Sequence, residues 1–249
     1  MQTVPIKEVI AECDKFFNTG NIPAAGAFLR AWRAKAQEFG DQKGELAILN
    51  ELIGHYRMTG NLEQGISAVT DAIKLINTTG ISGSVSAGTI LLNAATCMCA
   101  SGKIDEAIAL YRQAEMCYSK NLDANDLLFS GLYNNMAAAY LEKNMFSRAE
   151  ELYLKAIELL DSHKKLMDLA VAYVNLAQLY KKTGEDQEMI SSALDCAMIC
   201  FDAPDVPRDG YYAHTCKKCS DAFAELGRPD IKDDFDQRAK AVYENTGNI

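Results

Sequence analysis

Residues 133–160 read YNNMAAAYLEKNMFSRAEELYLKAIELL, and this stretch decides the fold. Two amphipathic helical patterns meet here at a short polar turn, Lys143-Asn144. Small residues alternate with large ones at helical spacing, which lets two antiparallel helices approach closely while aromatic rings fill the gaps beside them. The small positions are Ala137, Ala149 and Ala156, and the large ones are Met136, Tyr140 and Tyr153. Such a hairpin exposes apolar surface on both flanks, so we expect similar neighbours on either side.

The turn marker Asn144 recurs along the whole chain. Its counterparts are Gly20, Gly60, Gly102, Gly184 and Gly227. The intervals run from 40 to 43 residues, and an amphipathic stretch precedes and follows each marker. A fixed period of this length is typical of helical repeat arrays. The sequence therefore predicts six helix–turn–helix units in succession.

Composition supports an all-α chain without a membrane segment. None of the five prolines interrupts a long helical pattern, and no run alternates with the period of a strand. No apolar run approaches the ~18 residues that a bilayer crossing needs, and the N-terminus does not read as a signal peptide. The formal charge of −9 argues against binding to nucleic acid or to an anionic membrane. We expect a cytoplasmic protein whose eight cysteines are reduced.

The repeated motifs resemble those of tetratricopeptide-repeat proteins. That family has Leu-Gly/Ala and then Tyr three residues on in its first helix, and Ala, an aromatic and Ala in its second. The fourth unit matches with Met136-Ala137, Tyr140, Ala149, Tyr153 and Ala156, and the third with Ala94-Ala95, Met98, Ala107, Tyr111 and Ala114. The period of about 42 residues is similar to that of kinesin light chains.

The resemblance implies an all-α fold, a right-handed α-α superhelix that forms one solenoid over residues 1–249. We expect its repeats near residues 5–40, 44–79, 87–122, 128–163, 168–203 and 210–245. A Gly/Ser-rich connector over residues 77–88 and a Pro/Asp-rich linker, DAPDVPRDG, separate some of these units. The final helix is polar over much of its surface, as in the terminal cap of a solenoid.

Asparagines recur on the first helices, which line the concave face of such an array. Asn93, Asn135 and Asn175 are spaced by 42 and 40 residues, so we expect them in one slot of three successive units. An amide donates and accepts together, which suits an extended peptide backbone. In related peptide-binding tetratricopeptide grooves, Asn in this slot holds ligand backbone or a terminal carboxylate. The alternative is that each amide bonds a neighbouring helix end or loop.

Other groove candidates surround these amides, and several are basic. The predicted groove residues are Asn50, Arg57, Asn93, Thr96, Asn134, Asn135, Asn175, Gln178, Lys181, Lys182, Lys217 and Lys218. The lysines would form a local positive patch that steers an acidic peptide or a free carboxylate. Lys181 and Lys182 have a second interpretation, because cations near a helix end also favour the helix dipole.

Four cysteines offer a different chemistry. Cys216 and Cys219 form a CxxC motif, and Cys196 and Cys200 lie one turn apart on the preceding helix. If these helices pack together, the four thiols are candidates for a tetrahedral zinc site. A CxxC inside a helix is a weak metal signal, and cysteine commonly fills small core slots.

The predicted function is non-catalytic binding of a peptide segment or partner protein, acidic or with a free C-terminal carboxylate. No nucleophile, phosphate loop or cofactor motif is present, and the histidines are scattered. One alternative is a peptide sensor resembling the repeat half of bacterial pheromone-responsive regulators; another is metal- or thiol-dependent activity at the cysteines. Self-association is also open, because the first unit carries apolar residues: Phe16, Phe17, Ile22, Phe28 and Trp32.

Overall fold

A computed structural model describes residues 2–18 and 21–246 of the chain. Over these residues it contains twelve α-helices and no strand, so the predicted all-α repeat fold is confirmed. The helices are α1 Ile6–Asn18, α2 Ile22–Phe39, α3 Gln42–Met58, α4 Leu62–Thr78, α5 Val85–Ala100, α6 Ile104–Asn121, α7 Leu128–Glu142, α8 Phe146–Ser162, α9 Leu166–Thr183, α10 Gln187–Asp202, α11 Gly210–Glu225 and α12 Pro229–Thr246. None of the helices in the described part of the chain is long and apolar enough to cross a membrane.

The helices form two compact units. Unit 1 spans Met1–Ala124 and contains α1 to α6, and unit 2 spans Asn125–Ile249 and contains α7 to α12. Each unit is a series of antiparallel hairpins in which a first helix packs against the second helix that follows it. The continuous solenoid over residues 1–249, with its six repeat boundaries, stays a prediction.

The hairpin of α7 and α8 packs as the spacing of its residues predicts. Ala137, Ala149 and Ala156 have no exposed surface, and the rings of Tyr140 and Tyr153 are almost as fully buried beside them. Burying a large side chain contributes about 1.5–3 kcal/mol relative to leaving it in water. Alternating small and large side chains thus hold the two helices in close contact.

The repeated markers lie at the turns between paired helices. Asn144 has a φ of +57°, and the four described glycine markers have φ between +71° and +94°. This left-handed region suits glycine, and asparagine tolerates it better than most other residues. The first marker, Gly20, lies outside the described residues.

The Gly/Ser-rich connector is shorter and better anchored than its composition suggests. Helix α4 continues to Thr78 and α5 begins at Val85, so only residues 79–84 connect the two helices. Ser84 caps α5 by accepting a hydrogen bond from the backbone N–H of Ala87 at 3.1 Å. The amide of Asn121 donates to the carbonyl of Gly83 at 2.7 Å. The connector predicted over residues 77–88 is therefore too long, because its first two residues belong to α4 and its last four to α5.

His55 is a buried histidine in unit 1. Its side chain is 5% exposed, and its Nδ1 has no hydrogen-bond partner among the described residues. The ring lies beside Phe17 and so close to Gly26 that a Cβ on that glycine would be 2.3 Å from Nε2. Burial, and then the positive charge of Arg30, lower the pKa of His55 below its usual value. Folding therefore favours the neutral form of this imidazole over the charged form.

We predict that unit 1 loses stability as the pH falls through about 6.5, the pKa of an unfolded histidine. Below that pH the unfolded chain binds a proton that the folded chain excludes, which costs up to about 1.4 kcal/mol per pH unit. Urea denaturation midpoints at about pH 7.5 and about pH 5.5 test this linkage. His55→Gln should remove this contribution, whereas the matched change His214→Gln, at an exposed histidine, should retain it. An equal pH dependence in wild type and His55→Gln would contradict the prediction.

Candidate functional site on the first helices

In unit 1 the predicted groove residues fall into separate environments. Asn93 on α5 donates an amide hydrogen bond to Asn50 on α3 at 2.8 Å, and Asn50 donates to Glu51 at 3.1 Å. The hydroxyl of Thr96 donates to the backbone carbonyl of Leu92 at 2.9 Å and lies 3.1 Å from the Tyr111 hydroxyl on α6. Thr96 thus faces the paired second helix. Arg57 is exposed and forms no ion pair with a described residue.

A second amide pair joins two first helices in unit 2. Asn175 on α9 donates to Asn134 on α7 at 2.9 Å. The sequence interval is 41 residues, close to the 43 of Asn50 and Asn93. The sequence predicted Asn135 beside Asn175, but the structure places Asn134 there. Each pair satisfies half-buried amide groups that would otherwise lose their water partners.

A cleft of about 240 Å³ lies between α7, α9 and α11 in unit 2. Three of the predicted residues line it: Asn134, Asn135 and Lys218. The sequence interpretation missed five other lining residues with polar side chains: Ser130, Asp168, Tyr211, His214 and Thr215. Gln178 is half-buried outside the lining. We refer to this hollow as the first-helix cleft.

Some polar groups of the first-helix cleft are already engaged. Tyr211 donates its hydroxyl proton to the carboxylate of Asp168 at 2.5 Å. Burial, followed by this hydrogen bond and the negative charge of Asp168, raises the pKa of Tyr211. The hydroxyl of Ser130 donates to the carbonyl of Leu127, just before α7, at 2.7 Å, and that of Thr215 donates to the carbonyl of Tyr211 in α11 at 2.8 Å. These groups shape the cleft.

Four side chains in the cleft have donors that remain available. The side chains of Asn135, His214 and Lys218 have no hydrogen bond or ion pair with any residue that the structure describes. Asn134 uses its carbonyl oxygen to accept from Asn175, so its amide N–H groups are also available. Asp168 accepts from the Tyr211 hydroxyl at one of its two carboxylate oxygens, Oδ1. The available groups are therefore one ammonium, one imidazole and two amides, which together favour a ligand rich in oxygen acceptors.

The other predicted lysines lie elsewhere. Lys182 donates to the carbonyl of Leu141 at 3.1 Å, and Lys181 donates to the carbonyl of Glu225. These carbonyls belong to the last turns of α7 and α11, where a cation complements the helix dipole. Lys217 lies over the ring of Tyr243 on α12 at 5.0 Å. Lys181 and Lys182 thus tie neighbouring first helices together, and only Lys218 reaches the cleft.

Charge in unit 2 is divided between the two kinds of helix. The first helices α7, α9 and α11 carry four basic and four acidic residues in all. The second helices α8, α10 and α12 carry five basic and twelve acidic residues. The negative charge of this unit therefore belongs to the second helices, and the cleft itself is not acidic.

Three of the four cysteine candidates, Cys200, Cys216 and Cys219, are buried, and Cys196 is half-buried. Burial raises the pKa of Cys200 to about 11, of Cys216 to about 11 and of Cys219 to about 12. A protonated thiol is a poor nucleophile and a poor metal ligand. Within residues 2–18 and 21–246, no group of three or more His, Cys, Asp or Glu side chains, Cys196 included, is arranged to hold a metal ion. The geometry gives no support to zinc or thiol chemistry here.

Comparison with known proteins agrees with this architecture. The tetratricopeptide-repeat family model matches residues 130–159 and 170–202, which cover the hairpin of α7 and α8 and that of α9 and α10. The chain therefore contains tetratricopeptide repeats in unit 2, and its fold resembles TPR-like repeats elsewhere. No curated protein sequence matches this chain significantly.

Solved structures share the fold of this chain at low sequence identity. The TPR-like repeats of a Podosopora anserina putative kinesin light chain align with 18% identity and a TM-score of 0.66, over 78% of this chain and 93% of that one. BtubC (BKLC) from P. vanneervenii aligns with 16% identity and a TM-score of 0.56, over 99% of this chain and 94% of that one. Bacillus thuringiensis PlcR, solved with the peptide PapR7 and DNA, aligns with 14% identity and a TM-score of 0.59, over 79% of this chain and 69% of that one.

Proposed function

We propose that this protein is a non-catalytic interaction module that binds an acidic peptide segment, or the free C-terminal carboxylate of a partner protein, in the first-helix cleft. The observation that carries the proposal is the set of available donors, Asn135, His214 and Lys218, in one hollow of about 240 Å³. An ammonium and two amides can hold a carboxylate and an adjacent peptide carbonyl at once. We further propose that it acts in the cytoplasm, away from nucleic acid and membranes.

The size and charge of the cleft restrict the kinds of ligand that it can bind. Its volume is below the ~300–1,000 Å³ of typical small-molecule pockets, so it suits one chain end or one acidic side chain of a longer segment. Asp168 borders the same hollow, with Tyr211 donating to it. The cleft therefore sets this one carboxylate, which already accepts from Tyr211 at Oδ1, against an ammonium, an imidazole and two amides. The preference for an acidic ligand follows from this arrangement.

The test starts from a library of peptides with free C-termini, screened against the full chain, and measures the best binders by fluorescence polarisation. Asn135→Ala combined with Lys218→Ala should weaken them at least about hundredfold, because each lost hydrogen bond to a charged group is worth about 1.5–3 kcal/mol. Amidating the C-terminus of the same peptide separates terminal from side-chain recognition. An acidic side-chain ligand would survive amidation, and a terminal-carboxylate ligand would not.

Lys217→Ala provides the matched control, since it removes the same charge one residue away on the same helix. Lys217 lies over Tyr243 outside the cleft, so its removal should change affinity less than threefold, about 0.6 kcal/mol. Equal losses in Lys217→Ala and Lys218→Ala would show that net charge, and not the cleft, governs binding. Unchanged peptide affinity in the variant that combines Asn135→Ala with Lys218→Ala would contradict the proposal.

A second candidate function is peptide sensing, in which a bound peptide alters contacts with a separate effector chain. It is favoured by the similarity to PlcR, which was solved with a peptide and DNA. Hydrogen exchange of the full chain, with and without a peptide from the screen, tests this alternative. Sensing predicts changes in protection beyond α7, α9 and α11, whereas simple binding confines them to those helices.

A further inference from the structure

A second hollow, distinct from the first-helix cleft, lies between α9 and α10. Its volume is about 380 Å³. Tyr173, Leu176 and Tyr180 of α9 form its floor, and Met189, Ala193 and Cys196 of α10 form one wall. Both tyrosine rings are half-buried, and Met189 is 40% exposed. We call this hollow the tyrosine groove.

The floor of the tyrosine groove is about two helical turns long. Tyr173 and Tyr180 are seven residues apart on α9, which corresponds to about 10 Å along the helix axis. The spacing of Tyr173, Leu176 and Tyr180 matches the i, i+3, i+7 rows by which one helix packs against another. A single helix laid along the groove could place two or three apolar side chains against this floor.

One carboxylate lines the tyrosine groove, and three others lie near its tyrosines. Glu188 lines it directly. Glu150 on α8 and Glu185 lie close enough to Tyr180, and Asp161 on α8 close enough to Tyr173, to oppose ionisation of those phenols after burial has raised their pKa. None of these four carboxylates forms an ion pair with a residue in the described ranges. The rim is therefore negative and uncompensated.

Helix α8 adds an exposed apolar residue to the same side. Glu150, Leu154 and Asp161 share one face of α8, because positions four and eleven residues apart coincide on a helix. Leu154 is 48% exposed, although Ile157, on the same face, packs against the core of unit 2. Exposed apolar side chains beside an apolar groove are typical of a surface that a partner covers.

We propose that the tyrosine groove docks a basic amphipathic helix of a partner protein, with a row of large apolar side chains on the tyrosine floor and Lys or Arg side chains against the acidic rim. The negative charge of the rim favours basic over acidic partners. An acidic partner would face charges of the same sign, which lowers its affinity and slows its association. The first-helix cleft presents an ammonium and amides and favours the opposite ligand charge. The two sites are therefore distinguishable by the sign of the ligand.

The experiment uses a fluorescein-labelled Leu/Lys amphipathic helix of about 14 residues and its Leu/Glu counterpart, titrated with the full chain. We expect micromolar binding of the Leu/Lys helix and none of the Leu/Glu helix. Glu150→Lys combined with Glu188→Lys should weaken the Leu/Lys helix at least about tenfold. Met189→Glu should weaken it by a similar factor through the apolar wall.

Two matched variants separate docking from general attraction to an acidic protein. Glu38→Lys combined with Glu63→Lys makes the same change in net charge at exposed glutamates of unit 1, and Met58→Glu places the same charge at a methionine that is 51% exposed. Both should bind the Leu/Lys helix within about twofold of wild type, and circular dichroism confirms that every variant is folded.

Several results would overturn the proposal. No binding of the Leu/Lys helix up to about 1 mM would do so, as would equal losses in the groove variants and in their matched controls. Sedimentation of the chain alone provides the remaining test. Self-association that Met189→Glu abolishes and Met58→Glu does not would assign the groove to a second copy of the chain.

Discussion

Replacing Gly88 by alanine is expected to lower the free energy of unfolding by about 3 kcal/mol, the upper end for overpacked cores. In the interior of a helix this substitution normally raises stability by about 0.5–1 kcal/mol. At Gly88 in α5, however, the added Cβ would be 2.7 Å from Cε1 of Tyr118, 2.8 Å from its Cδ1 and 3.0 Å from Cβ of Cys117. The Tyr118 ring is 1% exposed, with its hydroxyl 3.0 Å from Thr89, and Cys117 Cβ moves only with the backbone of α6.

Gly54→Ala is the matched control for this prediction. Gly54 lies in the interior of α3, and a Cβ there would meet no atom within 4 Å. It should therefore gain about 0.5–1 kcal/mol, so the two glycine variants change stability in opposite directions. Urea denaturation monitored by circular dichroism measures both. A Gly88→Ala chain as stable as wild type would mean that α5 and α6 separate easily, contrary to their close packing.

Gly88 also shows a structural role that the local sequence does not predict. Residues 77–88 are rich in glycine and serine, which predicts a connector. Gly88 is instead a buried residue of α5, and the ring of Tyr118 on α6 lies too close to leave room for a side chain there. The partner Tyr118 is 30 residues away along the chain, and composition carries no information about such a contact. By contrast, the hairpin of α7 and α8 could be predicted because its alternating small and large residues lie within one short stretch.

The sequence predicted part of the candidate site. It could not predict the exact residue at each position of a helix, that is, the register between neighbouring helices. A period of 40 to 43 residues identifies which helices carry the amides, but it cannot distinguish Asn134 from Asn135 as the neighbour of Asn175. One residue is about 100° on a helix, so this difference decides which asparagine is paired with Asn175, although both line the cleft. For the same reason, the sequence could not predict that Lys218 lies in the cleft while Lys217 lies over Tyr243.

The pairing of Asp168 with Tyr211 is reflected in their spacing along the sequence, but this spacing can be interpreted only when the fold is known. They are 43 residues apart, one repeat length, and each lies near the start of its first helix. An acid and a phenol at equivalent positions are not unusual in a soluble chain, and their pairing depends on α9 and α11 lying side by side. Paired polar residues one period apart are therefore worth seeking in other helical repeats once the period is known.

Phe235→Ala is expected to lower the free energy of unfolding by about 4 kcal/mol, within the range for large-to-small changes at buried aromatic residues. Phe235 is fully buried in α12, with ring centroids 4.4 Å from Phe201 on α10 and 5.3 Å from Phe223 on α11. Removing its ring deletes both aromatic contacts and leaves a cavity where three helices meet. The loss falls on the most polar helix of unit 2, whose few apolar residues hold it in place.

Tyr243→Ala on the same helix is the control. Its ring is 45% exposed and contacts Lys217 across 5.0 Å, so its removal should cost no more than about 1 kcal/mol. Denaturant midpoints of both variants, with hydrogen exchange of α12, give the comparison. Faster exchange throughout α12 in Phe235→Ala alone would show that the aromatic cluster anchors the helix. Equal, small effects would mean that the ion pairs of Arg238 with Asp202 and Asp234, at 2.6 and 2.7 Å, suffice to hold it.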